Sequence, residues 1–181
     1  MVNNNQHKRA SKFLSLVLRH KPETIGLVLD INGWADTNEL IEKFSNHDLE
    51  LTIDELKLIV ENNDKKRFVL SEDFSRIRAN QGHSVEVDLQ LKEAAPPDEL
   101  YHGTAAKNIE TIKIQGLLKG SRHHVHLSTD IETARKVGMR YGKPVILIVD
   151  AKQMNKDGYK FFFSENAVWL TEFVLPKYIR L

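Results

Sequence analysis

The chain contains no cysteine, which excludes a disulfide framework, a thiolate nucleophile and a cysteine-built zinc site. Long apolar runs are also missing. The longest, residues 144–149, is far too short to span a bilayer, and residues 1–12 are polar with no apolar signal core. The expectation is a cytoplasmic protein without a membrane partner. Nor is there an excess of charge of one sign: 26 Lys+Arg face 25 Asp+Glu, for a net charge of +1, so no global field announces a polyanionic partner. Divided near Ala95, the first part carries 13 Lys+Arg against 16 Asp+Glu and the second 13 against 9. Neither part is a generic polyanion binder, and any phosphate must be held by a local cluster. A G-x-G-x-x-G fingerprint and a Walker loop are absent, so a bound nucleotide needs a different architecture. Internal repeats and low-complexity tracts are absent as well.

What is present is enough apolar residue, 41% of 181 positions, to build a core in one domain or two small lobes. The first half reads as helices followed by a hairpin. Ala10, Phe13, Leu14, Val17 and Leu18 recur at helical spacing, which predicts an amphipathic helix over residues 6–21, stopped by Pro22. Residues 26–30 read as a short strand and Asn32-Gly33 as a turn. Asp36 with Glu39, and Thr52 with Glu55, look like capping boxes opening two further helices. Residues 67–71 and 75–79 read as strands joined by a tight turn at Glu72-Asp73-Phe74. Helices followed by such a hairpin make a winged-helix pattern, a common nucleic-acid-binding shape.

Residues 92–98, which contain Pro96-Pro97, are the expected linker, with domains at 1–95 and 96–181. In the second half a strand is expected at 100–102, with Thr104 capping a helix that ends at Gly116. Further strands are expected at 125–127, 145–149, 161–163, 168–170 and 173–175, and a helix at 130–141. The expected class is α+β with short, mainly antiparallel strands.

Four clusters have chemical potential. Lys8, Lys12, Ser15 and Arg19 line one face of the first helix. That spacing alone reads as a solvated face, with a phosphate-facing edge as the sharper alternative. Arg19 has the planar fork suited to bidentate phosphate contact, and His20 beside it can donate a proton. Lys65-Lys66-Arg67 enters the hairpin, either as an exposed basic turn or as a contact to a nucleic-acid backbone. Tyr101-His102-Gly103-Thr104 joins a strand to a helix start, where N–H groups favour an anion, or is an ordinary cap with a structural histidine. The fourth is Ser121-Arg122-His123-His124-Val125-His126-Leu127-Ser128. Its three histidines invite a zinc reading, but with no Cys and no H-E-x-x-H helix no metal is expected. A polar ligand-binding strand with Arg122 at its mouth is preferred.

In this order, these clusters resemble the tRNA/RNA 2′-phosphotransferase family. The resemblance is carried by the segment from Ser11-Lys12-Phe13 through Leu18-Arg19-His20-Lys21-Pro22, and by Asn32-Gly33-Trp34-Ala35, Lys65-Lys66-Arg67-Phe68 and Gln81-Gly82-His83-Ser84. It continues in Tyr101-His102-Gly103-Thr104, Gln115-Gly116-Leu117 and Arg122-x-x-Val125-His126-Leu127-Ser128. It implies an N-terminal winged-helix RNA lobe followed by an NAD-binding lobe like that of ADP-ribosyltransferases. It also implies a two-step reaction. An internal RNA 2′-phosphate attacks C1″ of NAD⁺ and expels nicotinamide. Transesterification then yields RNA 2′-OH and ADP-ribose 1″,2″-cyclic phosphate. The family's essential set falls on Arg19, His20, Arg67 and Arg122, with Lys65 as an accessory. Its NAD-associated elements fall on His102, Gly103, Thr104, His126 and Ser128.

A phosphomonoester is largely dianionic at neutral pH, so it needs orientation more than a general base. For that reason Glu165 is left outside the set. His20 is then a candidate acid for the departing RNA 2′-oxygen, or a donor to a phosphate oxygen. The expected partners are RNA carrying an internal 2′-phosphate and NAD⁺, and the expected state is a monomer. The alternatives are an ADP-ribosyltransferase acting on nucleic-acid phosphate ends or another acceptor, and, outside enzymes, a winged-helix regulator with a ligand-binding lobe.

Overall fold

A computed structural model describes residues 4–47 and 49–181, and the chain divides into two units, Met1–Gln90 and Leu91–Leu181. The division falls ahead of Pro96-Pro97 because residues 91–95 already belong to the second unit's hydrogen bonding. Ala94 N–H donates to the Phe161 carbonyl, and Glu93 bridges to Phe162.

In the first unit, α1 (Asn4–Val17) turns Ala10, Leu14 and Val17 inward, and Leu18 continues the stripe. These positions share one side of a 3.6-residue helix. Removing an enclosed side chain such as Leu14 costs about 2–5 kcal/mol. Pro22 opens a 3-10 turn, Pro22–Ile25, closed by Gly26 at φ 62°, in the left-handed region that glycine enters without penalty. The strand expected at 26–30 does not form there. Asp30 instead folds the chain back, its Oδ1 accepting the N–H groups of Asn32 and Trp34 at 2.9 Å each. The strand forms after this turn, as β1 (Trp34–Asp36).

Asp36 then caps α2 (Thr37–Ser45) by accepting the Glu39 N–H at 2.8 Å. Thr52 and Glu55 form the full reciprocal box at the start of α3 (Ile53–Glu61), worth about 1 kcal/mol for such a cap. β2 (Phe68–Leu70) and β3 (Arg76–Ala79) make the expected hairpin, and the sheet order is β1-β3-β2, all antiparallel. At the hairpin turn the Asp73 carboxylate accepts the hydroxyls of Ser71 and Ser75 and the Ser75 N–H. These bonds, Ser71's first, hold its carboxyl down to about 2. Ala35, Phe68, Ile77 and Ala79 face inward onto Leu14, Leu18, Leu40 and Phe44.

The second unit is organised around β4 (Glu99–Ala105). Residues 106–108 form a 3-10 turn, followed by α4 (Ile109–Gln115), β5 (Leu117–Leu118), β6 (Val125–Leu127), α5 (Ile131–Gly138) and β7 (Pro144–Asp150). Then come α6 (Ala151–Lys156), β8 (Phe162–Phe163), β9 (Trp169–Thr171), β10 (Phe173–Val174) and β11 (Ile179–Arg180). The strands form three antiparallel groups: β11-β7-β4, β6-β9-β8 and β10-β5. β4 pairs with β7 over its whole length, from Glu99 opposite Asp150 to Ala105 opposite Pro144.

Two glycines bring α5 onto β4. A Cβ on Gly103 would sit 1.6 Å from the Ala134 carbonyl oxygen, and one on Gly138 would sit 2.7 Å from the Thr104 oxygen. Thr104 does not cap a helix as expected. It is buried inside β4, and its Oγ1 accepts the Asn108 amide at 3.1 Å. The helix starts later, at Ile109. Leu100, Leu127, Leu147, Val149, Met154, Phe161 and Trp169 fill the core.

The mixture of helices with short antiparallel strands is α+β. Among the described residues, no helix is long and apolar enough to cross a membrane.

Candidate active site

In the first unit the chemistry gathers where α1 ends. His20 and Lys21 both donate their N–H to the Leu16 carbonyl at 2.9 Å, and Pro22 cannot carry the helix on. The Arg19 carbonyl, one of the acceptors a helix end leaves over, takes the Ser84 N–H at 2.8 Å and the Val85 N–H at 3.3 Å. The His20 ring meets Ser84 as well, Nδ1 to Oγ at 2.9 Å. Arg19 reaches the other way. Its Nη2 donates to the Arg67 carbonyl at 3.3 Å, and its guanidinium lies 5.8 Å from the centre of the Phe68 ring.

Arg67 is set by a tight turn. Lys66 N–H donates to the Asn63 carbonyl at 2.7 Å, with Lys66 at φ 40°. The buried Asn63 side chain accepts the Arg67 N–H at 3.2 Å and the Arg67 Nη1 at 3.4 Å, and donates to the Ser11 hydroxyl at 3.3 Å. Asn80 closes the other side, its N–H on the Arg67 carbonyl at 2.9 Å and its amide on the Lys66 carbonyl at 2.7 Å. Lys65 lies exposed in the same turn. The first unit therefore brings Arg19, His20 and Arg67 to one neighbourhood through short links. The contact runs from the Arg19 guanidinium to the Arg67 backbone, while the Arg67 guanidinium meets Asn63; a guanidinium fork is the group that suits a multiply charged anion.

In the second unit, His102 on β4 and Arg122 both contact His126 on β6. Arg122 Nη1 lies 2.6 Å from His126 Nδ1. Arginine only donates, so Nδ1 accepts and the proton of neutral His126 sits on Nε2. His102 Nδ1 lies 3.0 Å from the His126 carbonyl oxygen. That oxygen only accepts, so His102 carries its proton on Nδ1 and offers Nε2 as an acceptor. Burial, with a smaller push from the Arg122 charge, holds His102 below the ordinary histidine range against the opposing bond to His126.

The neighbouring His124 is also lowered, by burial first and then by His123 and Lys119, and its ring packs 5.5 Å from that of Phe162. Ser128 pairs its backbone with Tyr101, N–H to carbonyl at 2.9 Å and 2.7 Å, and its Oγ accepts the Asp130 N–H at 3.0 Å. Asp130 in turn caps α5. Among the described residues, no group of three His, Cys, Asp or Glu side chains could hold a metal ion.

The sequence alone points to no role for Asn63, Asn80 or Ser84. Ser84 at least lies in the Gln81-Gly82-His83-Ser84 segment that carries the resemblance. Asn63 and Asn80 carry no local signal, because their partners are defined only once the turn and hairpin close.

A family model described as "RNA 2′-phosphotransferase, Tpt1 / KptA family" matches residues 5–173. A protein of Flavobacterium johnsoniae, named probable RNA 2′-phosphotransferase, is 58% identical over 178 residues, covering 98% of each chain. Proteins of the same name from Fusobacterium nucleatum and Burkholderia pseudomallei are each 56% identical. The first spans 95% of this chain and 97% of its own length, the second 95% and 94%.

Proposed function

The chain belongs to the RNA 2′-phosphotransferase family, an enzyme family of transferases, and from that premise we propose that it removes an internal RNA 2′-phosphate with NAD⁺ as co-substrate. The products are RNA 2′-OH, nicotinamide and ADP-ribose 1″,2″-cyclic phosphate. The observation that carries the phosphate side is the Arg19–Arg67 link beside His20 at the end of α1. In this reading Arg19 and Arg67 hold the phosphate oxygens, with Lys65 as a further charge, and His20 gives a proton to the departing RNA oxygen, while Arg122 acts beside His126 in the second unit. For scale, removing one preorganised hydrogen-bond donor aimed at developing charge costs about 2.7–4 kcal/mol in an acyl-transfer site. The first unit's order of three helices and a hairpin, with its basic residues at the hairpin's base, supports a winged-helix RNA lobe. The second unit's strand groups support an ADP-ribosyltransferase-like lobe.

The residues present fit a dinucleotide. NAD⁺, when bound, supplies an electrophilic C1″ and nicotinamide as leaving group. His102 offers an acceptor at Nε2 and His126 a donor at Nε2–H, a matched pair for ribose hydroxyls. Backbone groups of an antiparallel strand alternate sides. Because Tyr101 bonds Ser128 across one edge of β4, the N–H and carbonyl of Gly103 turn to that same edge, where together they can engage a carboxamide. Gly103 contributes through backbone alone, its side-chain direction being filled by α5. The Thr104 hydroxyl is engaged with Asn108, and the Ser128 hydroxyl donates to the Asp130 carbonyl at 3.1 Å while accepting the Asp130 N–H, so Ser128 contributes by shaping the turn after β6.

A non-catalytic regulator does not fit a chain whose transferase relative spans 98% of its length. The test is incubation with a 2′-phosphorylated oligoribonucleotide, with and without NAD⁺, followed by mass analysis. NAD⁺-dependent loss of the phosphate with a cyclic phosphate product is expected. A stable adduct on the RNA end would favour transfer that stops at ADP-ribosylation.

A further inference from the structure

We propose that Ser84 is a positioning residue for His20, fixing which ring nitrogen faces the phosphate. The inference rests on the proposed role of His20 as proton donor and assigns the group that aims it.

Ser84 touches the end of α1 twice. Its backbone N–H binds the Arg19 carbonyl at 2.8 Å, reinforced by Val85 at 3.3 Å, and its hydroxyl lies 2.9 Å from His20 Nδ1. The backbone contact fixes where the serine sits relative to the last turn of α1, so the hydroxyl arrives at Nδ1 from a set direction rather than by the wandering of a loop side chain. An imidazole held at Nδ1 presents Nε2 across the ring.

The chemistry of the partner matters. A donor to a leaving oxygen must carry a proton on Nε2 before the step and none after it. If the Ser84 hydroxyl accepts from Nδ1–H, that bond is the same in both states. The imidazolium has protons on both nitrogens, and the neutral ring left behind keeps the one on Nδ1. As the entering hydroxyl oxygen bonds to phosphorus, its own proton passing to solvent water, the bond from phosphorus to the RNA 2′-oxygen breaks and Nε2 passes its proton to that oxygen. The ring neither turns nor changes its partner. A hydroxyl also suits the task better than a carboxylate, because it adds no negative charge beside a site that binds a dianion.

The contact adds little to folding. His20 and Ser84 are both exposed, and a neutral hydrogen bond in water nets about 1 kcal/mol or less. Removing the hydroxyl therefore separates aim from fold.

The experiment compares the wild-type chain with Ser84→Ala and Ser84→Thr, each labelled with ¹⁵N in its histidines. Ring nitrogen shifts of His20, read at about pH 8 where a free imidazole is neutral, report the tautomer with no substrate present. Steady-state rates are then read on a 2′-phosphorylated oligoribonucleotide with NAD⁺. The wild-type and threonine chains should show the proton on Nδ1, and the alanine chain a shift toward Nε2. Ser84→Ala should lower kcat about tenfold to a hundredfold with KM for RNA little changed, and Ser84→Thr should restore most of it. An unchanged His20 tautomer in Ser84→Ala, or a wild-type kcat in it, would overturn the proposal. If the wild-type chain showed no NAD⁺-dependent transfer, the functional reading would fail instead, and the tautomer shifts would still decide whether Ser84 sets the ring.

Discussion

The two units build their polar clusters from opposite materials. The first gathers charge, with Arg19, Lys65 and Arg67 on a helix end and a tight turn. Its cluster is half-exposed or exposed, as a fixed positive charge must be to stay solvated before its anion arrives. The second gathers imidazoles at strand edges. His102 is partly buried and held neutral at pH 7, with its tautomer set by a carbonyl, and His126 has its tautomer set by Arg122. The first arrangement suits a dianion. The second suits hydroxyls and amides, which need directed donors and acceptors rather than net charge. Under the proposed function this is a division of labour between the transferred phosphate and the co-substrate.

The largest effect should come from crossing the two clusters. Arg67→Ala should lower kcat/KM for the RNA by about 100-fold to 1,000-fold while leaving KM for NAD⁺ within about twofold. Arg67→Lys should recover little, because an ammonium lacks the fork. His126→Ala should do the reverse, raising KM for NAD⁺. Equal effects of both variants on both substrates, measured by initial rates, would dissolve the division.

A second comparison concerns stability. Gly103→Ala places a methyl group 1.6 Å from the Ala134 oxygen, so β4 and α5 must part. A loss of about 3 kcal/mol or more is expected, and denaturant melts would show it. A stability within about 1 kcal/mol of wild type would contradict the packing of α5 on β4.

The smallest effect is on pH. His102 has its folded-state pKa lowered relative to the unfolded chain, so the unfolded state binds the proton more readily. Its contribution is fully present above about pH 6.5, the unfolded value, and is lost as pH falls through the folded value. Chemical melts across that range should show stability falling toward acid. His102→Gln should flatten the slope, and an unflattened slope would assign it to another group.

Local signals made much of the fold legible. The caps at Asp36 and Thr52 and the 67–79 hairpin are written in residues only a few positions apart. What was missed depends on distant partners. Residues 26–30 have strand-like composition, but Asp30 turns the chain and the strand forms at Trp34, where β3 can pair with it. α6 and the short β5 and β11 gave no periodic signal. Thr104 looked like a cap because the length of β4 is set by β7, whose matching residues are 144–150.

The site divides the same way. By spacing alone Arg19-His20 reads as a solvated helix end, and only the family motifs distinguish it. Asn63 and Ser84 stayed silent because their functional contacts, to Ser11 and His20, lie 52 and 64 residues away in sequence.

The measurement that bears most directly on the central claim is stoichiometry. Nicotinamide released and phosphate lost from a 2′-phosphorylated oligoribonucleotide should match one for one in the wild-type chain. In His20→Ala, nicotinamide release should run ahead of phosphate loss. Phosphate loss without NAD⁺, or a His20→Ala chain that keeps both steps at the wild-type rate, would contradict the account.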